Sequence, residues 1–72
     1  AIDSRPQSQS ILAFLENEIG LEAVRRKEYG EAVRHFQAAI ELDSRAVPAY
    51  LNLGDVRLAQ GREDDAASTW HT

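Results

Sequence analysis

The sequence has 72 residues, a formal net charge of −4 at pH 7, no cysteine and two histidines, which excludes disulfides, thiolate metal sites and an all-histidine metal site. The acidic balance argues against nucleic acid and acidic membranes as partners, and no apolar run reaches the roughly 20 residues of a membrane span. A hydrophobic content of 43% with many strong helix formers predicts a folded, all-α domain, whose core is so small that we expect more of the same chain or a second copy to stabilise it.

The first predicted helix starts near residues 7–10, where Ser8 or Ser10 is the expected N-cap. Positive charges at residues 25–27 suit the C-terminal end of this helix, and Gly30 follows the break in its pattern. Its apolar residues cover much of the circumference, which is typical of a helix that is covered on two sides. The main apolar stripe is Ile11, Leu15, Ile19 and Ala23, broadened by Phe14, Leu21 and Val24.

Three more helices are predicted after the first. The second covers residues 31–42, which carry apolar side chains on one face, and residues 43–45 form the turn after it. The third begins around Pro48 and stops at Gly61, because proline suits a first turn and glycine suits a helix end. The three carboxylates at residues 63–65 then favour the positive end of a fourth helix.

The chain repeats itself at a spacing of 34 residues. Small residues recur where helices must approach closely, and large residues recur where they fill the space between helices. A helix pair that is stacked twice accounts for both. The matching pairs are Ile19 and Leu53, Gly20 and Gly54, Ala32 and Ala66, Val33 and Ala67, and Phe36 and Trp70.

These residues resemble the tetratricopeptide repeat, a family whose helix–turn–helix unit is 34 residues long. The resemblance implies a right-handed α-α superhelix of about four helices. It also implies an N-terminal extension or early helix start at residues 1–12, a first unit at 13–46, and a second unit at 47–72 that is truncated in its second helix. The packing positions that it implies are Ile19, Gly20, Ala32, Phe36, Ala39, Tyr50, Leu53, Gly54, Ala66 and Trp70.

The sequence departs from the family's pattern at a few positions. Glu16 stands where the first unit should carry an aromatic residue, which predicts that this edge is less buried than in a regular repeat. Ala23 and Arg57 replace the usual tyrosine, and Ser44 replaces the usual proline.

The resemblance implies a non-catalytic protein-interaction module, because the first helices of successive units in this family line a concave groove for a peptide or a partner helix. We expect no cofactor, and the sequence shows no nucleophile with a base, phosphate loop or paired-acid site. Leucine and aspartate at the family's carboxylate-clamp positions argue against capture of a C-terminal carboxylate. The groove residues implied by position are Asn17, Leu21, Val24, Arg25, Leu51, Asp55 and Leu58, with Ala59 beside them.

Other interpretations remain open. The apolar groove residues would alternatively pack against a neighbouring repeat or the N-terminal extension. The units would then serve structural assembly, either inside a larger repeat protein or as a dimer or helix exchange through the end near Ala67 and Trp70. Residues 47–55 are also similar to repeats of this family in bacterial lipopolysaccharide-assembly proteins, which suggests an adaptor role. The lack of cysteine fits a reducing compartment such as the cytoplasm without fixing the location.

Overall fold

The computed structural model describes the backbone of residues 5–71 and the side chains of residues 8–62. Three helices make up this part of the chain: α1 (Arg5–Arg25), α2 (Tyr29–Leu42) and α3 (Val47–His71). The connections between them are short, so neighbouring helices are antiparallel, and α1 and α3 point in the same direction. The prediction of an all-α fold is confirmed.

The predicted number of helices is wrong by one, because α3 continues through Gly61 to His71. Gly61 does not have a positive φ, and among the described residues no atom outside its own helix lies near the position of its missing Cβ, so no described contact enforces a turn there. A glycine inside a helix costs only about 1 kcal/mol, and strong helix formers flank it on both sides. The carboxylates at residues 63–65 therefore lie within α3 and not at the start of a separate helix.

Both earlier helices start before their predicted positions. Because α1 begins at Arg5, the predicted caps Ser8 and Ser10 lie inside the helix. In the same way, α2 begins at Tyr29, and its N-cap Glu28 makes no capping hydrogen bond with its side chain.

The end of α1 is a Schellman motif in which Lys27 has a φ of 61°. The Lys27 N–H donates to the Val24 carbonyl at 2.9 Å, and the Glu28 N–H donates to the Ala23 carbonyl at 2.8 Å. These bonds satisfy carbonyls that the helix end would otherwise leave unpaired. Glycine is the usual residue for this left-handed position, yet the nearest glycine, Gly30, lies in the first turn of α2.

The larger of two core clusters joins all three helices around Phe36, whose side chain is fully buried. Gly20 of α1 lies directly against this ring: a Cβ at Gly20 would be 2.5 Å from Phe36 Cε1. The close approach of α1 and α2 therefore depends on the absence of a side chain at residue 20. The buried members are Ala23, Ala32, Phe36 and Val56, with Leu21, Val24, Tyr29, Val33 and Leu53 partly buried around them.

The second core cluster is built on three alanines, one from each helix: Ala13, Ala39 and Ala49. All three are buried. Small side chains at each contact let the three backbones approach closely where α2 turns into α3. The partly buried Ile40, Leu42 and Ala46 complete this cluster.

The predicted packing positions divide between the core and the surface. Ile19 and Tyr50 are about half exposed, and Gly54 faces open space. Tyr50 and Gly54 are exposed because α3 does not fold back on itself, so no helix in the described part of the chain covers its outer side. Ala66 and Trp70 lie outside the residues whose side chains the structure describes. The remaining positions belong to the core, and they are Gly20, Ala32, Phe36, Ala39 and, partly buried, Leu53.

Candidate protein-binding surface

A crevice runs between α1 and α3, and one hydrogen bond crosses it. Asn52 Nδ2 of α3 donates to Asn17 Oδ1 of α1 at 2.9 Å. Asn17 is the one buried polar residue among the described side chains, with 8% of its surface exposed. A buried amide is costly unless it is hydrogen-bonded, so this pair ties the two helices together at a defined point.

The first of two depressions in the crevice, here called the Tyr29 depression, has a volume of about 180 Å³. Its walls are mainly apolar because α1 and α3 contribute partly buried aliphatic side chains from the edge of the core. Polar groups from α3 lie at its rim. The lining residues are Leu21, Val24, Tyr29, Asn52, Asp55, Val56 and Ala59.

The second depression, here called the Pro48 depression, has a volume of about 130 Å³ and lies beside the turn between α2 and α3. Asp43 lines it and accepts two hydrogen bonds, from the Arg45 backbone N–H at 3.0 Å and from Ser10 Oγ at 3.1 Å. The Arg45 N–H, and after it the Ser10 hydroxyl, hold the pKa of Asp43 below its ordinary value of 3.8. The other lining residues are Ala13, Phe14, Asn17, Ala46, Pro48 and Ala49.

The structure brings only some of the predicted groove residues together. Leu21, Val24 and Asp55 line the Tyr29 depression, as does Ala59, whereas Asn17 lines the Pro48 depression.

The other predicted groove residues lie elsewhere. Leu51 and Leu58 follow the buried Ala49 and Val56 by two residues each, which places them about 200° away around α3. They are 65% and 61% exposed on the side of α3 that faces away from the core. Arg25 is exposed and forms a 2.9 Å ion pair with Glu22 on its own helix.

The comparison with known proteins decides the family. The sequence profile of the tetratricopeptide repeat matches residues 17–70, which is three quarters of the chain. The chain belongs to the tetratricopeptide repeat family. No curated protein and no solved structure matches it significantly. Tetratricopeptide repeats form helix–turn–helix superhelices, generally mediate protein–protein interactions and are typically non-catalytic.

The crevice lies between α1 and α3, which the units predicted from the sequence at 13–46 and 47–72 would make the first helices of successive repeats. Three residues that line the Tyr29 depression were not predicted as groove residues from the sequence: Tyr29, Asn52 and Val56. Asn17 and Asn52 are 35 residues apart, one more than the repeat length, so comparison at a spacing of 34 does not pair them.

The charged residue at a usually aromatic position of the repeat, Glu16, has a structural partner. His35 Nδ1 of α2 lies 2.7 Å from Glu16 Oε2, and both side chains are about two-thirds buried. Glu31 Oε2 lies 4.0 Å from the other ring nitrogen of His35. A hydrogen bond between α1 and α2 thus replaces the aromatic contact of a regular repeat.

The described residues contain neither a candidate membrane span nor a candidate metal site. No helix there is both long and apolar enough to cross a lipid bilayer. Within the same part of the chain, no group of three or more histidine, aspartate or glutamate side chains is arranged to hold a metal ion.

Proposed function

We propose that the chain binds a peptide or a partner helix along the crevice between α1 and α3, and that the Tyr29 depression takes an apolar side chain of that ligand. One observation carries this proposal. Between the first helices of two successive repeats, the depression combines apolar walls with polar groups at one rim, which is the usual composition of a specific binding site.

The apolar walls supply affinity. Leu21 and Val24 are only partly buried, so an entering aliphatic side chain covers apolar surface that is now in water. Full burial of one such side chain contributes about 1.5–3 kcal/mol. This is roughly a fifth to a third of the about 8 kcal/mol that corresponds to a micromolar Kd, so neighbouring contacts along the crevice must supply the rest.

The rim supplies selectivity. The Asp55 side chain is exposed and forms no ion pair or hydrogen bond within the described part of the chain. A lysine or arginine in the ligand, placed beside the apolar side chain, would pair with this carboxylate and be favoured over an acidic residue. The proposed ligand is therefore an amphipathic segment with a basic residue next to its apolar anchor.

The test is a selection of random peptides of about 12 residues, long enough for three helical turns, on the immobilised chain. The selected peptides are then titrated against two test variants: Ala59→Phe fills the Tyr29 depression, and Asp55→Lys reverses the charge at its rim. The control variants are Leu51→Asp and Leu58→Asp, on the outer side of α3. We expect the first two to weaken binding at least about 10-fold and the controls to leave it unchanged. The opposite pattern, or a failure to select any peptide, would reject the crevice as the binding site.

A further inference from the structure

The Pro48 depression lies in the same crevice as the Tyr29 depression, and the function proposed above assigns no ligand group to it. Each depression has a single charged residue in its lining, which is Asp43 in the first and Asp55 in the second. No ion pair in the described part of the chain uses either carboxylate. The lining of the crevice is therefore negative at two points and positive at neither.

The Asp43 carboxylate is held in position from two sides. Its Oδ1 accepts the hydrogen bond of the Arg45 backbone N–H, and its Oδ2 accepts that of the Ser10 hydroxyl. A carboxylate has about four acceptor sites, so each oxygen can accept one further hydrogen bond. The exposed guanidinium of Arg45 attracts Asp43 without forming an ion pair with it. Asp43 is thus an oriented anion with acceptor capacity left for a ligand.

The rest of the lining suits a long basic side chain. Phe14 of α1 is 62% exposed, Pro48 of α3 is also exposed, and the buried Ala13 and Ala49 complete the apolar wall. A basic side chain has a matching composition, because an apolar stem carries its charged end. Arginine fits better than lysine, since a planar guanidinium stacks on an aromatic ring and bonds both oxygens of one carboxylate.

A spacing of seven residues relates the two depressions on both helices. Phe14 and Leu21 of α1 line one depression each, as do Ala49 and Val56 of α3. Seven residues of helix span about 10.5 Å, and the same spacing puts two side chains of a helical ligand on one face. An extended ligand is disfavoured, because the backbone groups of α1 and α3 are bonded within their own helices and offer its N–H and C=O groups no partners.

We propose that the ligand of the crevice is a helix with an arginine seven residues from its aliphatic anchor, and that this arginine occupies the Pro48 depression, paired with Asp43 and packed against Phe14. This inference rests on the proposed function, because it takes the anchor to lie in the Tyr29 depression. Asn17 lines one depression and Asn52 the other, so the middle of the ligand passes over their hydrogen bond. The ligand is thus recognised by shape at one point and by charge at the other.

The peptides selected on the immobilised chain are the probes for this inference. We expect them to carry arginine seven positions from an aliphatic residue more often than at other spacings. Each peptide is then compared with a derivative in which this arginine is replaced by alanine. The replacement should weaken binding to the native chain at least about 5-fold, but binding to the Asp43→Asn variant by less than about 2-fold.

Two variants that remove one negative charge elsewhere serve as controls. Asp55→Asn changes the Tyr29 depression, and Glu41→Gln changes an exposed residue of α2 that lines neither depression. Both should leave the effect of the arginine unchanged. Phe14→Ala should reduce that effect, and it should keep the native helix content by circular dichroism, because Phe14 belongs to neither core cluster.

The outcomes distinguish a failure of this inference from a failure of the proposed function. Peptides that lose affinity for Ala59→Phe, but whose arginine contributes equally on the native chain and on Asp43→Asn, overturn the arginine site and leave the Tyr29 depression in place. Enrichment of arginine three positions from the anchor would show an extended ligand and overturn the helical one. Replacement of the arginine by lysine without loss would overturn the contact with Phe14. A failure to select any peptide rejects the proposed function and this inference with it.

Discussion

Replacing Gly20 by alanine should destabilise the fold, although alanine is the better helix former. A Cβ at residue 20 would lie 2.5, 2.7 and 2.9 Å from Cε1, Cδ1 and Cζ of Phe36, closer than carbon atoms can approach. The Phe36 ring is fully buried, so it cannot move aside into solvent. Overpacking of this kind costs about 1–3 kcal/mol, against a gain of about 1 kcal/mol from helix propensity.

Gly54 provides the matched control, because it occupies the same position of the repeat 34 residues later. No atom outside its own helix lies within 4 Å of the Cβ position there. The Gly54→Ala variant should therefore gain the full helix propensity of about 1 kcal/mol. The free energy of unfolding of Gly20→Ala should be about 1–3 kcal/mol lower than that of Gly54→Ala, and this difference is the cost of overpacking.

Thermal and urea unfolding followed by circular dichroism measures both variants. For a domain of this size, 1 kcal/mol corresponds to a shift of about 4–8 °C in Tm. The Phe36→Leu background should lessen the penalty of Gly20→Ala, because a smaller side chain leaves room for the new methyl group. The reasoning is refuted if Gly20→Ala stabilises the chain as much as Gly54→Ala does.

Three further predictions follow from single features of the structure. Lys27→Gly should raise the free energy of unfolding by about 1 kcal/mol in urea titrations, because glycine adopts the left-handed conformation without strain; a loss of stability would contradict the Schellman assignment. Asn17→Ala should lower it by about 1–2 kcal/mol, because the inter-helix hydrogen bond and a buried polar contact are lost; the exposed Arg57→Ala serves as the control, and equal effects would count against the bond. Because folding lowers the pKa of Asp43, its carboxylate stabilises the fold above pH 3.8, and this contribution is lost as the pH falls through the pKa of the folded state. The stability advantage of the native chain over Asp43→Asn should therefore shrink in acid. An advantage that does not change with pH would contradict the hydrogen bonds as the cause of the lowered pKa.

The core was predictable from the sequence where residue size alone decides the packing. Gly20 and Phe36 recur as a small and a large residue at the repeat spacing, and they meet in the structure. The helix boundaries were less predictable, because they depend on contacts outside the local sequence. Gly61 lies inside α3, where no contact from the described side chains enforces a turn, and Lys27 takes the left-handed position that a nearby glycine would suit better.

The residues that line the candidate binding surface were predictable only in part, for a related reason. The family pattern assigns positions relative to a regular stack of repeats. Leu21 and Asp55 meet at one depression because α1 and α3 are neighbours in such a stack. Leu51 and Leu58 were assigned to the same groove, but their place around α3 puts them on its outer side, and only the observed burial of Ala49 and Val56 reveals this.

The hydrogen bond between Asn17 and Asn52 also fixes how far α3 is displaced along α1. Contacts built from alanines, such as that of Ala13 and Ala49, are smooth and tolerate sliding of one helix past the other. A slide by one helical turn would carry Asn52 about 5.4 Å away from Asn17 and leave a buried amide without a partner. One polar pair therefore sets the register of α3 against α1, as single polar residues do in coiled coils.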